Sequence, residues 1–192
     1  LKLVVELGMG DGRHLCELSK DARGTNTLFI GIENNTSLYS EAAGRINTNN
    51  VLLVNDSFEN RIREFQNKTL DKVIMILPDP KYIDPQYHAH WISLYADIFL
   101  KLKDLGTLEI VTEIIDDLLQ PVSDMVYYAW AKWLLQAFVG IGFGIEQILN
   151  KAPSNYISTC LDRFRQDPRR IRLLTLRLFK PLAEVRQSSK RS

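Results

Sequence analysis

The chain has 192 residues, a formal net charge of +1, 45% hydrophobic residues and 24% charged ones, ordinary values for one soluble domain with a substantial core. Its two cysteines, Cys16 and Cys160, lie far apart with no C-x-x-C. That excludes a disulfide-rich scaffold, offers no zinc-ligand spacing, and leads us to expect a reducing, cytoplasmic setting.

Apolar runs and amphipathic stretches alternate along the chain. Strands are predicted at Lys2–Glu6, Leu28–Glu33, Val51–Val54 and Lys72–Leu77, with helices following the first three at Arg13–Lys20, Ser37–Ile46 and Phe58–Phe65. The run 72–77 is continuously apolar and therefore reads as a strand buried on both faces. Trp91, Leu94, Tyr95, Ile98 and Leu102 give His88–Leu102 a helical period. A fifth strand at Leu108–Val111 precedes a long helix from about Ile115 to Phe138, and Phe143–Leu149 and Ile171–Phe179 read as two final strands with no helix between them. The order implies an α/β fold, doubly wound, with a mostly parallel seven-stranded sheet, helices on both faces and a C-terminal antiparallel strand. Residues 1–182 are expected to form a single domain and 183–192 a disordered basic tail.

LKLVVE runs straight into a glycine-rich loop, so no signal peptide is expected, and an opening strand with nothing ahead of it suggests that upstream residues are missing. The most apolar window, MVYYAWAKWLLQAFVGIGFG, has the length of a membrane span. Lys132 interrupts it and three glycines crowd its end, so a buried helix followed by a strand is expected. Charge is unevenly distributed. Residues 163–192 hold ten Arg or Lys against Asp167 and Glu184, a balance of +8, which leaves −7 on the rest. A basic segment on an acidic body points to a polyanion partner at one edge; the alternative is a solvated tail.

The first strand ends in Glu6-Leu7-Gly8-Met9-Gly10-Asp11-Gly12. Glycines there allow a tight turn and close approach of a ligand to backbone at the carboxyl edge of the sheet. A dinucleotide fingerprint would need glycine where this chain has Arg13, and an acid before the loop suits an ammonium group better than a pyrophosphate. Glu33 closes the second strand, where a carboxylate can accept both hydroxyls of a ribose. Asn55 and Asp56 close the third, where a polar side chain can read an adenine amino group. Together they describe a nucleoside with a cationic amino-acid tail, S-adenosylmethionine.

The fourth strand leads into Leu77-Pro78-Asp79-Pro80, which locks one carboxylate between two residues of fixed φ. With the glycine loop, this stretch resembles the F-P-D-P of the tRNA (guanine-N7-)-methyltransferase family, class I S-adenosylmethionine-dependent enzymes. Thr112-Glu113 is similar to that family's T-D after the fifth strand, Thr159-Cys160-Leu161-Asp162 to its late T-x-[FY]-E, and RLLTLRLF to its last strand. The resemblance implies that Glu6, Gly8, Gly10, Glu33, Asn55 and Asp56 contact the cofactor, that Asp79 is catalytic, and that Lys81, Glu113, Thr159 and Asp162 meet the target guanosine or the cofactor beside it. It implies tRNA as partner and a monomer or homodimer, with neither metal nor membrane. The chain departs from the family after Asp79-Pro80: the usual W-x-K-x-R-H becomes Lys81-Tyr82-Ile83-Asp84-Pro85-Gln86, leaving Lys81, His88 and His90 as possible cations. His88-x-His90 has no third ligand for a metal and belongs at a helix start.

Three other readings stand beside this one. Asp79-Pro80-Lys81-Tyr82 is similar to the D-P-P-Y of methyltransferases acting on exocyclic amines of bases, with an aromatic that stacks on the base. A non-catalytic RNA-binding subunit would keep the fold, and a small-molecule methyltransferase is opposed only by the basic segment.

Overall fold

The structure is a computed structural model and describes residues 1–116 and 118–182. The tail expected at 183–192 lies outside the described residues. Seven strands form one sheet in the order β3-β2-β1-β4-β5-β7-β6. They are β1 (Lys2–Leu7), β2 (Thr27–Glu33), β3 (Val51–Asn55), β4 (Leu70–Ile76), β5 (Leu102–Ile115), β6 (Gly144–Leu149) and β7 (Ile171–Phe179). The first five pair in parallel, and β7 runs antiparallel to both β5 and β6. The helices are α1 (Arg13–Asp21), α2 (Thr36–Arg45), α3 (Phe58–Glu64), α4 (His88–Lys101), α5 (Asp124–Ile141) and α6 (Thr159–Phe164).

The core lies on both faces of the sheet, and β4 shows why its sequence is apolar throughout. Val73 and Met75 pack with Leu7, Ile32, Trp91, Tyr95, Tyr127 and Phe138 on one face, and Ile74 packs with Leu15, Ala42, Val111 and Leu161 on the other. Trp91 is fully buried; truncating such a side chain costs about 3–5 kcal/mol. β1 is central, with β2 on one side and β4 on the other. The order in which strands are added therefore reverses beside it, and such a switch point opens a crevice at the strands' carboxyl ends.

The structure corrects three local expectations. The long helix does not begin at Ile115. β5 continues to Ile115 against β7, and α5 starts at Asp124, where the Ser123 hydroxyl accepts the Val126 N–H at 3.3 Å. Pro121 separates the two, since it cannot donate to a ladder or sit in a helix interior. The fifth strand also begins earlier than Leu108, at Leu102, with an irregularity in its pairing to β4 between Leu70 and Lys72. Finally, a helix does intervene between β6 and β7: α6 has six residues, too few to show a period, and is capped by Ser158, whose hydroxyl accepts the Leu161 N–H at 3.0 Å. The apolar window holds the end of β6's approach and most of α5, and among the described residues no helix is long and apolar enough to cross a membrane.

Candidate active site

The glycine loop leaves β1 with Gly8 at φ +70° and Gly10 at φ +56°, the left-handed region that other residues enter only at a cost of roughly 1–2 kcal/mol. The turn aims the Gly10 N–H at Glu33 Oε2, 3.0 Å away. Glu33 Oε1 accepts the Asn35 N–H at 2.8 Å, and Asn35 in turn caps α2. One carboxylate thus ties the ends of β1 and β2 into a single frame. Gly31 lets the loop settle on the sheet: a Cβ there would lie 2.3 Å from Met9 Sδ.

Glu6 sits beneath this frame, 2% exposed. Its Oε2 has no hydrogen-bond partner among the described residues. Burial, with a smaller push from Asp11, raises its pKa to about 8. A buried carboxylate in that state is incomplete, and a ligand ammonium group would satisfy it.

After β4 the chain turns sharply, with Leu77 at φ +51° and its N–H donating to the Val111 carbonyl at 2.7 Å. Pro78 is buried and Asp79 exposed. Asp79 Oδ1 accepts the Lys81 N–H at 3.0 Å and caps a short 3-10 turn over Pro80–Tyr82. Tyr82 and Ile83 anchor that turn in the core, and the Trp91 indole N–H holds the Asp84 carbonyl at 2.9 Å. The loop between the prolines is therefore fixed on both sides, with Asp79 Oδ2 left free of any described hydrogen bond.

A cavity of about 500 Å³ opens at the switch point. It gathers Glu6, Gly8, Gly10, Glu33, Asp79, Lys81 and Thr159, with Leu38 and Phe58 as apolar wall. Its charged lining is mainly acidic: Glu6, Asp11, Glu33, Glu41 and Asp79 against Lys81 and Arg163. A second cleft of about 860 Å³ lies on the other side of the turn, lined by Pro80, Asp84, Tyr87, Glu113, Asp116 and Trp130 among others, with no Lys, Arg or His among the described residues. Burial raises the Glu113 pKa to about 7, and its Oε2 has no described partner.

The remaining expected residues take other places. Asn55 bridges strand ends, donating to the Glu33 carbonyl at 2.8 Å and accepting from Thr36 at 3.3 Å. Asp56 accepts the Ser57 N–H at 2.7 Å and pairs with Arg61 at 2.9 Å. Neither lines the cavity. Asp162 lies between Arg13 and Arg165, 3.1 Å from each. His88 packs edge-on against Trp91 and Trp133 at the start of α4. Among the described residues of the basic C-terminal segment, five of seven bases are engaged within the fold: Arg165 with Asp162, Arg170 with Asp167, Arg172 with Asp124, Arg177 with Glu109, and Lys180 with the Leu102 carbonyl. Sequence reasoning missed Asp11, which accepts the Thr159 hydroxyl at 3.0 Å and lines the cavity. It also missed Phe58 and Cys160, of which an aromatic opening the helix after β3 was the available signal.

A family model described as "Putative methyltransferase" matches residues 1–125. The chain belongs to this family. It is the family of the tRNA guanine-N7 methyltransferases, and its methyl donor is S-adenosylmethionine. The matched part of this methyltransferase family member takes in Glu6, Glu33, Asp79 and Glu113 and stops short of α6. A bifunctional methyltransferase from Rickettsia conorii is 31% identical over 121 residues, and one from Rickettsia felis 27%. Each alignment covers 59% of this chain and 22% of the relative, so the chain spans about a fifth of the length of the curated relatives it matches. Among solved structures, the 16S rRNA methyltransferase KamB superposes with a TM-score of 0.72 at 12% identity, covering 94% of this chain and 88% of that one. An S-adenosylmethionine-dependent methyltransferase from Listeria monocytogenes gives 0.67 at 17% identity, covering 93% and 91%. At these identities the likeness is one of fold: a Rossmann-like methyltransferase sheet.

Proposed function

We propose that the chain transfers a methyl group from S-adenosylmethionine to N7 of a guanosine in tRNA, in a reducing, cytoplasmic setting. The observation that carries the reading is the position of Asp79, which lines the acidic cavity at a turn whose next residue, Pro80, lines the second cleft. The residues present fit the donor. Glu6 would meet its ammonium group, Glu33 its ribose, and Leu38 and Phe58 would flank its base. When bound, S-adenosylmethionine supplies an electrophilic methyl group on a sulfonium.

Guanine N7 carries a lone pair and needs no deprotonation, so the protein's task is alignment. Asp79 keeps one carboxylate oxygen free, and the N1–H and N2–H₂ edge of guanine offers adjacent donors for it. Methylation leaves positive charge on the ring. A carboxylate held in place by the 3-10 turn stabilises that charge as it develops, and Glu113, Asp84 and Asp116 give the second cleft an acidic lining that favours a cationic ring.

One observation weighs against transfer to an exocyclic amine. Tyr82, the aromatic that reading needs, is 7% exposed and packed against Phe58 and His90 with Lys81 Nζ 4.7 Å from its ring centre, which leaves little ring face for a base. The test is methyl transfer from labelled S-adenosylmethionine to tRNA transcripts, followed by nucleoside identification. The expected product is 7-methylguanosine, abolished when guanosine is replaced by 7-deazaguanosine. A different methylated nucleoside, or transfer that survives the replacement, sinks the assignment. A protein that binds the donor and methylates nothing supports the non-catalytic subunit instead.

A further inference from the structure

A buried polar cluster lies outside both clefts. The Glu109 carboxylate on β5, 7% exposed, accepts the Tyr156 hydroxyl. It also faces Lys72 Nζ at 2.9 Å and Arg177 Nε at 3.4 Å. Lys72, Glu109 and Arg177 belong to the neighbouring strands β4, β5 and β7. Tyr156 does not belong to the sheet. It sits in the connection from β6 to α6, 1% exposed, with its ring stacked on His14 of α1 at 5.0 Å between centroids. Burial, then Lys72, lowers the His14 pKa to about 4, so this stack is between neutral rings.

Two residues beyond Tyr156 the chain reaches Ser158, which caps α6, and α6 presents Thr159, Cys160 and Arg163 to the donor cavity. A helix of six residues has no stability of its own. Its position must come from its ties. Leu161 is its buried residue. Thr159 donates to Asp11, Asp162 pairs with Arg13, and Arg165 donates to the Pro153 carbonyl. All but Leu161 join α6 to the glycine loop, to α1 or to its own connection, so none joins it to the sheet by a polar contact. The Tyr156–Glu109 bond supplies that link two residues ahead of Ser158, nearer to α6 than the bond from the Thr175 hydroxyl to the Lys151 carbonyl.

We propose that Tyr156, through Glu109, is a positioning residue that holds α6 against the glycine loop and thereby sets affinity for the methyl donor. The proposal rests on the reading that the 500 Å³ cavity holds S-adenosylmethionine. Removing the hydroxyl leaves the ring, its stack on His14 and the Glu109 ion pairs in place, while the connection keeps its polar tie to the sheet only at Lys151, whose carbonyl accepts the Thr175 hydroxyl at 2.7 Å well ahead of α6.

The test is Tyr156→Phe, with the dissociation constant of S-adenosylhomocysteine measured by calorimetry and the KM for S-adenosylmethionine measured separately from kcat. Both constants are expected to rise about tenfold, the loss typical of a hydrogen bond to a charged group, with kcat within about twofold of the parent. In a Thr159→Val background the same substitution is expected to add little, because both act on one contact. Glu109→Gln keeps an acceptor for the hydroxyl and is expected to bind within about threefold of the parent, whereas Glu109→Ala should lose as much as Tyr156→Phe. An unchanged dissociation constant, fully additive losses in the double variant, or a fall in kcat at constant KM would each overturn the proposal. Equal behaviour of the two Glu109 variants would overturn it even if Tyr156→Phe folds poorly. If the parent protein binds no S-adenosylhomocysteine, the cofactor assignment fails first, and the positioning role with it.

Discussion

The two clefts that meet at the Asp79-Pro80 turn are built differently. In the donor cavity, Glu33 is satisfied by backbone N–H groups of two loops, and the loops leave consecutive parallel strands. In the second cleft, Glu113 has an unpartnered oxygen and the walls are turns and the approach to α5. The first is a frame completed by topology, and its parts constrain one another. The second is a set of separate groups that a substrate must bring together. Loss of a single side chain should therefore spread through the first and stay local in the second.

The largest effect is expected at the rim. Asp79→Ala should lower turnover about 10–100-fold, the loss of a charge-assisted contact of about 1.5–3 kcal/mol, while calorimetric affinity for S-adenosylhomocysteine stays within about threefold. A matching loss of affinity would show that Asp79 belongs to the donor frame. Glu33→Ala should do the reverse: donor affinity falls about tenfold or more, and thermal unfolding shifts down as two backbone donors lose their partner. Glu113→Gln comes next, with a several-fold loss of rate. With its pKa at about 7, Glu113 ionises as pH rises through neutrality, so the parent rate should climb across that range and the variant's rate should not.

Glu6 gives the smallest and most indirect effect. Its pKa rises from 4.5 to about 8 on folding, so the folded protein holds this proton where the unfolded chain releases it. The stability linked to that proton is complete below pH about 4.5 and is lost as pH climbs through about 8. Glu6→Gln should therefore unfold at a slightly higher temperature than the ligand-free parent at pH 8.5, while binding the donor more weakly. Proton release on donor binding at pH 7, read from calorimetry in buffers of different ionisation enthalpy, should vanish in the same variant.

Sequence reasoning reached the donor frame more readily than the second cleft, for a physical reason. Glu6, Gly8, Gly10 and Glu33 are strand-end residues, and parallel strand order alone brings their backbones to one edge. Asn55 and Asp56 share that placement, and their side chains also make local bonds to Thr36, Ser57 and Arg61. No spacing rule foretells such bonds. The ties between α6 and the glycine loop join residues about 150 positions apart, such as Thr159 and Asp11, and depend on a helix too short to leave a period. The basic C-terminal segment is legible in part for a related reason: its count of charges is visible in sequence, and the partners that its described residues find on β5, α5 and α6 are not.

The acid-rich lining of the donor cavity has a consequence for exchange between turnovers. Methyl transfer removes the sulfonium charge, so the spent donor leaves with one positive charge fewer than the fresh one had on arrival. Four carboxylates, with Glu6 as a fifth acid that ionises when the ammonium group arrives, against two cations therefore attract incoming donor more strongly than outgoing product. Raising ionic strength should weaken binding of S-adenosylmethionine more than that of S-adenosylhomocysteine, making the salt concentration a control on product inhibition.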